Sequence, residues 1–135
     1  VDYRASNPYL ARAKGGMKLD CLTLEEPIDA PGCVLAGGDV NESGSVVKSF
    51  GRYKKKRNHS DPLTTFDYNT HYYTIYHSIG NTNYIPIVTN RSPAWADVPR
   101  VMSTNSYSFT IAFFNQENKV SEWRQPFTYV CYKAD

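Results

Sequence analysis

The sequence predicts an all-β protein, an antiparallel β-sandwich of six or seven short strands with an extended N-terminal segment. Its 135 residues include eleven tyrosines and six phenylalanines, and aromatic and β-branched residues are enriched in strands. Turn-forming Gly, Asn, Pro and Ser interrupt these runs roughly every ten residues, which is typical of sandwiches. No stretch shows the sustained periodicity of an amphipathic helix.

The N-terminal segment, residues 1–31, mixes glycine, proline and charge without periodicity. We expect it to be an extended connector, with a short strand at "MKLDCLTL" (residues 17–24). The sandwich domain is then predicted to span residues 32–135.

The first predicted hairpin joins strands at residues 33–40 and 45–53 through the turn "NESG". Within the first strand, Gly37 and Gly38 predict a bulge or a point of close packing, because glycine has no side chain. The polar residues 54–69 that follow are long enough to predict a functional or flexible loop.

The stretch "YYTIYHSIGNTNYIPIVT", residues 72–89, predicts a second hairpin with Gly80 and Asn81 at its turn. Pro86 is expected to interrupt its second strand. Alternation along the first strand places three side chains on one face: Tyr73, Ile75 and His77.

Two further strands are predicted after residues 90–99, which contain two prolines and should form a loop or an edge segment. In the first, alternation places four large side chains on one face: Tyr107, Phe109, Ile111 and Phe113. "NQENKVSEW" is then expected to be a hairpin loop. In the closing strand, residues 126–133, one face carries three side chains: Phe127, Tyr129 and Cys131.

Composition argues against several classes of function. The net charge of +2 is too small to indicate nucleic-acid binding, and no apolar run reaches the ~20 residues of a membrane-spanning helix. The first residues lack the apolar core of a signal peptide, and a start at Val1 favours a fragment or a processed protein. Cys21, Cys33 and Cys131 are odd in number and show no CxxC spacing, so we expect free thiols and no zinc site. A bridge between Cys21 and Cys33 stays an open alternative.

No enzyme activity, cofactor or metal is predicted. His77 and Ser78 are adjacent in a strand, so their side chains point to opposite faces and do not suit a nucleophile–base pair. The chain has neither a GxSxG motif nor a phosphate-binding loop. No spacing pairs two carboxylates for glycoside hydrolysis, and His77 is expected to be a packing residue.

A recognition module remains, because long polar loops on a rigid sheet scaffold are typical binding elements, and aromatic side chains suit sugars and proteins. The basic run "RYKKKR" suits an anionic glycan such as lipopolysaccharide, although such runs are more often solvated loops or blunted strand edges. The tryptophans have an equal alternative role, to cap the ends of the sandwich. The predicted receptor contacts are Tyr53, Lys54, Lys55, Lys56, Arg57, Tyr68, Trp95 and Trp123.

Three motifs in order, "PGCVLAGGDVNESGSVVKSFGRY", "YYTIYHSIGNTNYIPIVT" and "STNSYSFTIAFFNQENKVSEWRQPFTYVCY", resemble the C-terminal domain of certain phage tail-fibre proteins. The likeness covers residues 32–132. Its middle motif is the most specific, matched by Tyr73, Ile75, His77, Ser78, Gly80, Asn83 and Tyr84. The loop 54–69, Pro86 and the glycine-free turn "NKVSEW" depart from the family pattern, where binding loops would lie.

The resemblance implies a homotrimeric fibre tip that binds a bacterial polysaccharide or outer-membrane protein. It also implies a place in the virion after assembly in the host cytoplasm, with residues 1–31 as a possible fibre-shaft segment. The alternative is a stand-alone carbohydrate-binding or adhesin domain of a secreted bacterial protein, without an obligate trimer.

Overall fold

The computed structural model describes residues 30–56, 62–94 and 96–135. Within these ranges the chain forms eight strands and no helix, arranged as two antiparallel sheets of four strands each. The predicted antiparallel β-sandwich is therefore confirmed, while the predicted connector lies outside the described residues up to residue 29. The strands are β1 (Val34–Val40), β2 (Val46–Phe50), β3 (Thr64–Phe66), β4 (Tyr73–Tyr76), β5 (Tyr84–Asn90), β6 (Val98–Thr104), β7 (Ser108–Phe114) and β8 (Phe127–Lys133).

The first sheet has the strand order β2-β1-β8-β5, and the second has the order β3-β4-β7-β6. β1 and β2 form the predicted hairpin, and its "NESG" turn is closed by a 2.9 Å hydrogen bond from the Gly44 N–H to the Asn41 carbonyl. Gly44 has a positive φ, which explains why glycine ends this turn. The last strand in sequence, β8, is a central strand of its sheet, paired with β1 and β5.

The predicted hairpin at residues 72–89 is wrong. β4 pairs with β3 and β7, whereas β5 pairs with β8 in the other sheet. Residues 77–83 therefore cross between the sheets, and the His77 and Tyr84 rings at the two ends of this crossing pack in the core 4.7 Å apart. Gly80 does adopt the expected positive φ. "NQENKVSEW" likewise belongs to a crossing, because β7 and β8 lie in different sheets.

Three local predictions also need correction. β3 lies inside the stretch predicted to be a loop. The sequence did not predict this strand, because three residues are too few to show a strand period. Pro86 lies within an unbroken β5, which tolerates it as an edge strand that needs no ladder donor on its free side. Tyr107 is exposed in the turn between β6 and β7, so the inward face of β7 carries only Phe109, Ile111 and Phe113.

The core lies between the two sheets and is mostly aromatic. The predicted inward residues of the β4 and β8 stretches are buried as expected, and so are the predicted inward residues of the β7 stretch other than Tyr107. Edge-to-face ring contacts such as Tyr73–Phe127 at 5.2 Å join the layers. Burial raises the pKa of the Cys131 thiol to about 12, so this free thiol stays protonated and unreactive. The Cys21–Cys33 alternative depends on Cys21, outside the described residues, and stays open.

Gly37 confirms the predicted close packing. A Cβ atom at Gly37 would lie 2.2 Å from Cζ of Phe50, whose ring covers this glycine on the outer face of the first sheet. Bulges occur elsewhere in β1, beside Val34 and beside Val40.

The sandwich has two ends with different contents. At the Trp123 end lie the β1–β2, β3–β4, β5–β6 and β7–β8 connections. At the Tyr53 end lie the other three connections, together with the point where the chain enters at Ala30. There the Gly32 N–H bonds the Lys133 carbonyl at 2.7 Å, and the Ala134 N–H bonds the Asn83 carbonyl at 3.1 Å.

Candidate functional site

The Trp123 end presents two of the predicted contact residues. The side chain of Trp123 is 65% exposed and that of Tyr68 is 70% exposed, although both are large aromatic residues. Trp123 follows Ser121, whose hydroxyl accepts a hydrogen bond from the Trp123 N–H at 3.3 Å. Exposed aromatic side chains are common contact groups for sugars and proteins.

Beneath Trp123 lies a buried amide network centred on Gln125, whose side chain is 0% exposed. Its Nε2 donates to Oδ2 of Asp97 at 2.7 Å, and its Oε1 accepts from Nδ2 of Asn90 at 2.8 Å. The Gln125 N–H donates to the buried Tyr73 hydroxyl at 3.2 Å. Asn90 also donates to the Asp97 carbonyl at 2.8 Å, so both the backbone and the carboxylate of Asp97 are held in place.

Two cavities open at this network, with volumes of about 370 and 480 Å³. Asp97 and Asn115 line both. The first cavity is also lined by Lys119, Val120, Ser121, Glu122 and Trp123. The second is also lined by Ala94, Ala96, Gln116 and Glu117. Volumes of a few hundred Å³ with a few fixed polar groups are typical of small-ligand sites.

Local turn chemistry shapes the rim of the first cavity. The Asn115 Oδ1 accepts from the Glu117 N–H at 3.0 Å and from the Lys119 N–H at 3.1 Å. Asn118 takes the positive φ that glycine usually supplies in such a turn, which explains why "NKVSEW" needs no glycine. Asparagine side chains commonly bond nearby backbone in this manner.

A second aromatic group at this end surrounds Arg124. Its guanidinium carbon lies 5.0 Å from the Phe66 ring centre and 5.6 Å from that of Tyr68, which itself packs edge-on against Phe66 at 5.0 Å. Arg124 lines neither of the two cavities. These contacts hold the exposed Tyr68 ring in place beside a cation.

No protein-family model, curated protein or solved structure matches this chain. The likeness to phage tail-fibre tips therefore rests on the sequence motifs alone.

The described part of the basic run, residues 52–56, lies at the opposite end, the Tyr53 end. The Tyr53 carbonyl accepts from the N–H and the hydroxyl of Ser78, at 2.8 and 2.9 Å. Lys54 forms a strand bridge with His77, and the ammonium of Lys55 lies 5.0 Å from the ring centre of Tyr76. Part of the run therefore stabilises the sandwich. Arg57 and Trp95 lie outside the described residues.

His77 is a framework residue, as the sequence predicted. The Ile79 N–H donates to Nδ1 of His77 at 3.2 Å, so Nε2 carries the proton and donates to the Tyr84 hydroxyl at 2.9 Å. That hydroxyl in turn lies 2.8 Å from the Asn105 carbonyl and 2.9 Å from the Ser108 carbonyl. Burial lowers the pKa of His77 to about 4, which keeps the ring neutral.

The structure thus separates the predicted contacts into Tyr68 and Trp123 at one end and Tyr53, Lys54, Lys55 and Lys56 at the other. Sequence reasoning assigned no binding role to Asp97, Asn115 or Gln125. Among the described residues, no group of three or more His, Cys, Asp or Glu side chains is arranged to hold a metal ion. No helix in the described ranges is long and apolar enough to cross a membrane.

Proposed function

We propose that this chain is the receptor-binding tip domain of a phage tail fibre, which attaches to a bacterial surface glycan or outer-membrane protein through its Trp123 end. One observation carries the proposal. An exposed tryptophan, Trp123, lines the same cavity as a carboxylate, Asp97, that is fixed by a fully buried glutamine. Fixed polar groups beside an aromatic face provide orientation and contact area for a ligand.

The position of this end supports the proposal. The chain enters the sandwich at Ala30, at the Tyr53 end, where Gly32 is bonded to Lys133. The first described residue, Ala30, therefore lies on the side opposite Trp123. The Trp123 end would face outward from a fibre, where it could meet a cell surface.

The homotrimer that the sequence resemblance implies has support in one exposed apolar face. Two rows of residues cross the outer side of the first sheet without a charged side chain. They are Phe50, Gly37, Val130 and Ile87 in one row, and Val34, Tyr132 and Ile85 in the next. Copies of the chain would meet there without like-charge repulsion, and patches of this kind often mark protein contacts.

The first test is the solution mass by light scattering. A stable trimer near three times 15.3 kDa supports the fibre-tip proposal, and Ile87→Asp should then convert it to a folded monomer. A monomeric wild type favours the alternative, a stand-alone carbohydrate-binding or adhesin domain.

The second test is attachment to whole bacteria by labelled protein. Trp123→Ala should reduce attachment, whereas Tyr107→Ala, which removes an equally exposed ring at the Tyr53 end, should not. Attachment that survives Trp123→Ala would contradict a recognition surface at this end. On this proposal the domain resides at the fibre tip of the virion, is assembled in the host cytoplasm, and binds no nucleic acid.

A further inference from the structure

We infer that the Trp123 end takes a neutral or amine-bearing glycan and rejects anionic polysaccharides. This inference rests on the proposed function, because it assigns a ligand class to the same surface. It also departs from the expectation that a basic run selects an anionic glycan.

The charge of the two cavities carries the inference. Among the described residues that line them are three carboxylates, Asp97, Glu117 and Glu122, and one ammonium, Lys119. Nζ of Lys119 lies 3.7 Å from Oε2 of Glu117, so the Glu117 carboxylate offsets the Lys119 charge. An approaching sulfate, phosphate or carboxylate would meet carboxylates of the same sign, and like-charge contacts suppress binding.

Hydroxyl and amino groups suit this lining. Oδ2 of Asp97 is occupied by Gln125, but no described residue is hydrogen-bonded to its Oδ1. Carboxylate oxygens accept hydrogen bonds from sugar hydroxyls, and more strongly from an ammonium group. No described residue accepts a hydrogen bond from Nδ2 of Asn115. The walls of both cavities therefore carry a hydrogen-bond donor, Nδ2 of Asn115, as well as an acceptor, Oδ1 of Asp97.

The Trp123 ring adds contact that does not depend on charge. An indole face stacks on the C–H face of a sugar ring, and it also attracts a cation through its quadrupole. Both interactions favour the same two ligand classes, neutral sugars and amino sugars. Neither favours an anion.

Lys54, Lys55 and Lys56 of the basic run are too distant to reverse this preference. The Tyr53 and Trp123 ends are separated by strands of seven residues, or roughly 23 Å at ~3.3 Å per residue. The Debye length is about 8 Å at physiological ionic strength, so the lysines are screened from the cavities. Arg124, at the Trp123 end, lies over the Phe66 and Tyr68 rings. Arg100 lies over the Phe114 ring, and Nη1 of Arg91 lies 3.6 Å from Oδ1 of Asp39.

A glycan array tests the ligand class directly. The array presents neutral hexose oligosaccharides, oligosaccharides with a free amino group, and sulfated or phosphorylated oligosaccharides to the full chain. We expect binding to the first two groups only, changing less than about twofold between 0.05 and 0.5 M NaCl for the neutral group, because contacts without ligand charge are little affected by salt.

Two matched charge changes locate the contact. Asp97→Asn keeps an oxygen for Gln125 but removes the charge, and it should weaken binding roughly tenfold or more. Asp135→Asn makes the same change at the Tyr53 end and should leave binding unchanged. Thermal unfolding of both variants checks that each is folded.

Binding confined to the sulfated or phosphorylated group, and lost when Lys54, Lys55 and Lys56 are all changed to alanine, would overturn the ligand class while leaving glycan attachment in place. Attachment to bacteria without binding to any glycan group would also overturn it, in favour of a protein receptor. If the protein bound neither to bacteria nor to any glycan on the array, the proposed function itself would be rejected.

Discussion

Each end of the sandwich contains a buried network of polar side chains, but the two networks differ in the groups at which their hydrogen bonds terminate. At the Tyr53 end, His77 donates a hydrogen bond to the Tyr84 hydroxyl. That hydroxyl lies within hydrogen-bonding distance of the backbone carbonyls of Asn105 and Ser108. At the Trp123 end, the Gln125 side-chain amide donates a hydrogen bond to the Asp97 carboxylate. Asp97 lines two open cavities.

On the proposed function, this difference separates a centre that contributes only to stability from one that also takes part in recognition. The His77–Tyr84 network terminates at backbone carbonyls. It therefore fixes the crossing of the chain between the sheets and presents no side-chain group to a ligand. A centre that ends on an accessible carboxylate stabilises the fold and also holds a binding group in a set position. Changes at the two ends should therefore have different consequences.

The largest effect we expect is acid destabilisation through His77. Its pKa is lowered from 6.5 to about 4 by burial, so the unfolded chain binds the proton more tightly than the folded chain. The resulting stability is present above pH 6.5 and is lost as the pH falls towards 4, by about 3 kcal/mol in total.

Urea unfolding between pH 7.5 and 4 measures this loss. His77→Phe should flatten the dependence, while His71→Asn, at a residue with positive φ that asparagine tolerates, should preserve it. Equal slopes in His77→Phe and wild type would show that other groups cause the acid sensitivity.

Gln125→Leu should have the next largest effect, because it matters to both stability and binding. The change keeps the volume but removes the partners of Asn90 and Asp97, and we expect a loss of about 2–3 kcal/mol in unfolding free energy. Glycan or cell binding should fall in parallel. Gln116→Leu, at an exposed glutamine in the same connection, is the control for stability and should change it by less than about 0.5 kcal/mol.

Tyr84→Phe should affect stability alone. It removes the hydroxyl that accepts from His77, at a cost of about 1–2 kcal/mol, while the Trp123 end keeps every contact. Unchanged attachment to bacteria by this variant, at a temperature where it is folded, would sharpen the contrast between the ends. A loss of attachment would refute it.

Trp123→Ala should show the reverse behaviour. We expect binding to weaken about tenfold, or about 1.4 kcal/mol, because stacking on an exposed aromatic ring is lost. The unfolding free energy should stay within about 0.5 kcal/mol of wild type, since the side chain is mostly exposed. A larger loss of stability would favour the alternative that Trp123 caps the sandwich.

The smallest effect should come from replacing Lys54, Lys55 and Lys56 together with alanine. The contact of Lys55 with Tyr76 is partly exposed, so we expect a cost below about 1 kcal/mol in urea unfolding. Binding at the Trp123 end should not change. A strong loss of attachment would instead restore the basic run as the receptor contact.

The sequence predicted the fold class and the faces of individual strands well, because period-2 alternation is a local signal. Tyr73, Ile75 and His77 share a buried face as expected, as do Phe127, Tyr129 and Cys131. Strand partners were harder. β4 and β5 follow one another closely, and only packing between the sheets places them in different layers.

The candidate site was only partly predictable. Trp123 and Tyr68 attract notice as large aromatic residues in polar loops, but Gln125 resembles any other loop glutamine until its burial is known. Its partners Asn90 and Asp97 lie far from it along the chain. Long-range hydrogen bonds of this kind leave no spacing pattern in one sequence.

The central position of β8 has a consequence for synthesis on the ribosome. β1 and β5 are both paired with residues 127–133, so neither strand gains this partner until those residues have been made. The first sheet must therefore form after translation of the domain, and its non-local pairing predicts slow folding. Until then the unpaired edges of β1 and β5 are exposed to neighbouring chains, and a chaperone that shields them would raise the yield of folded protein.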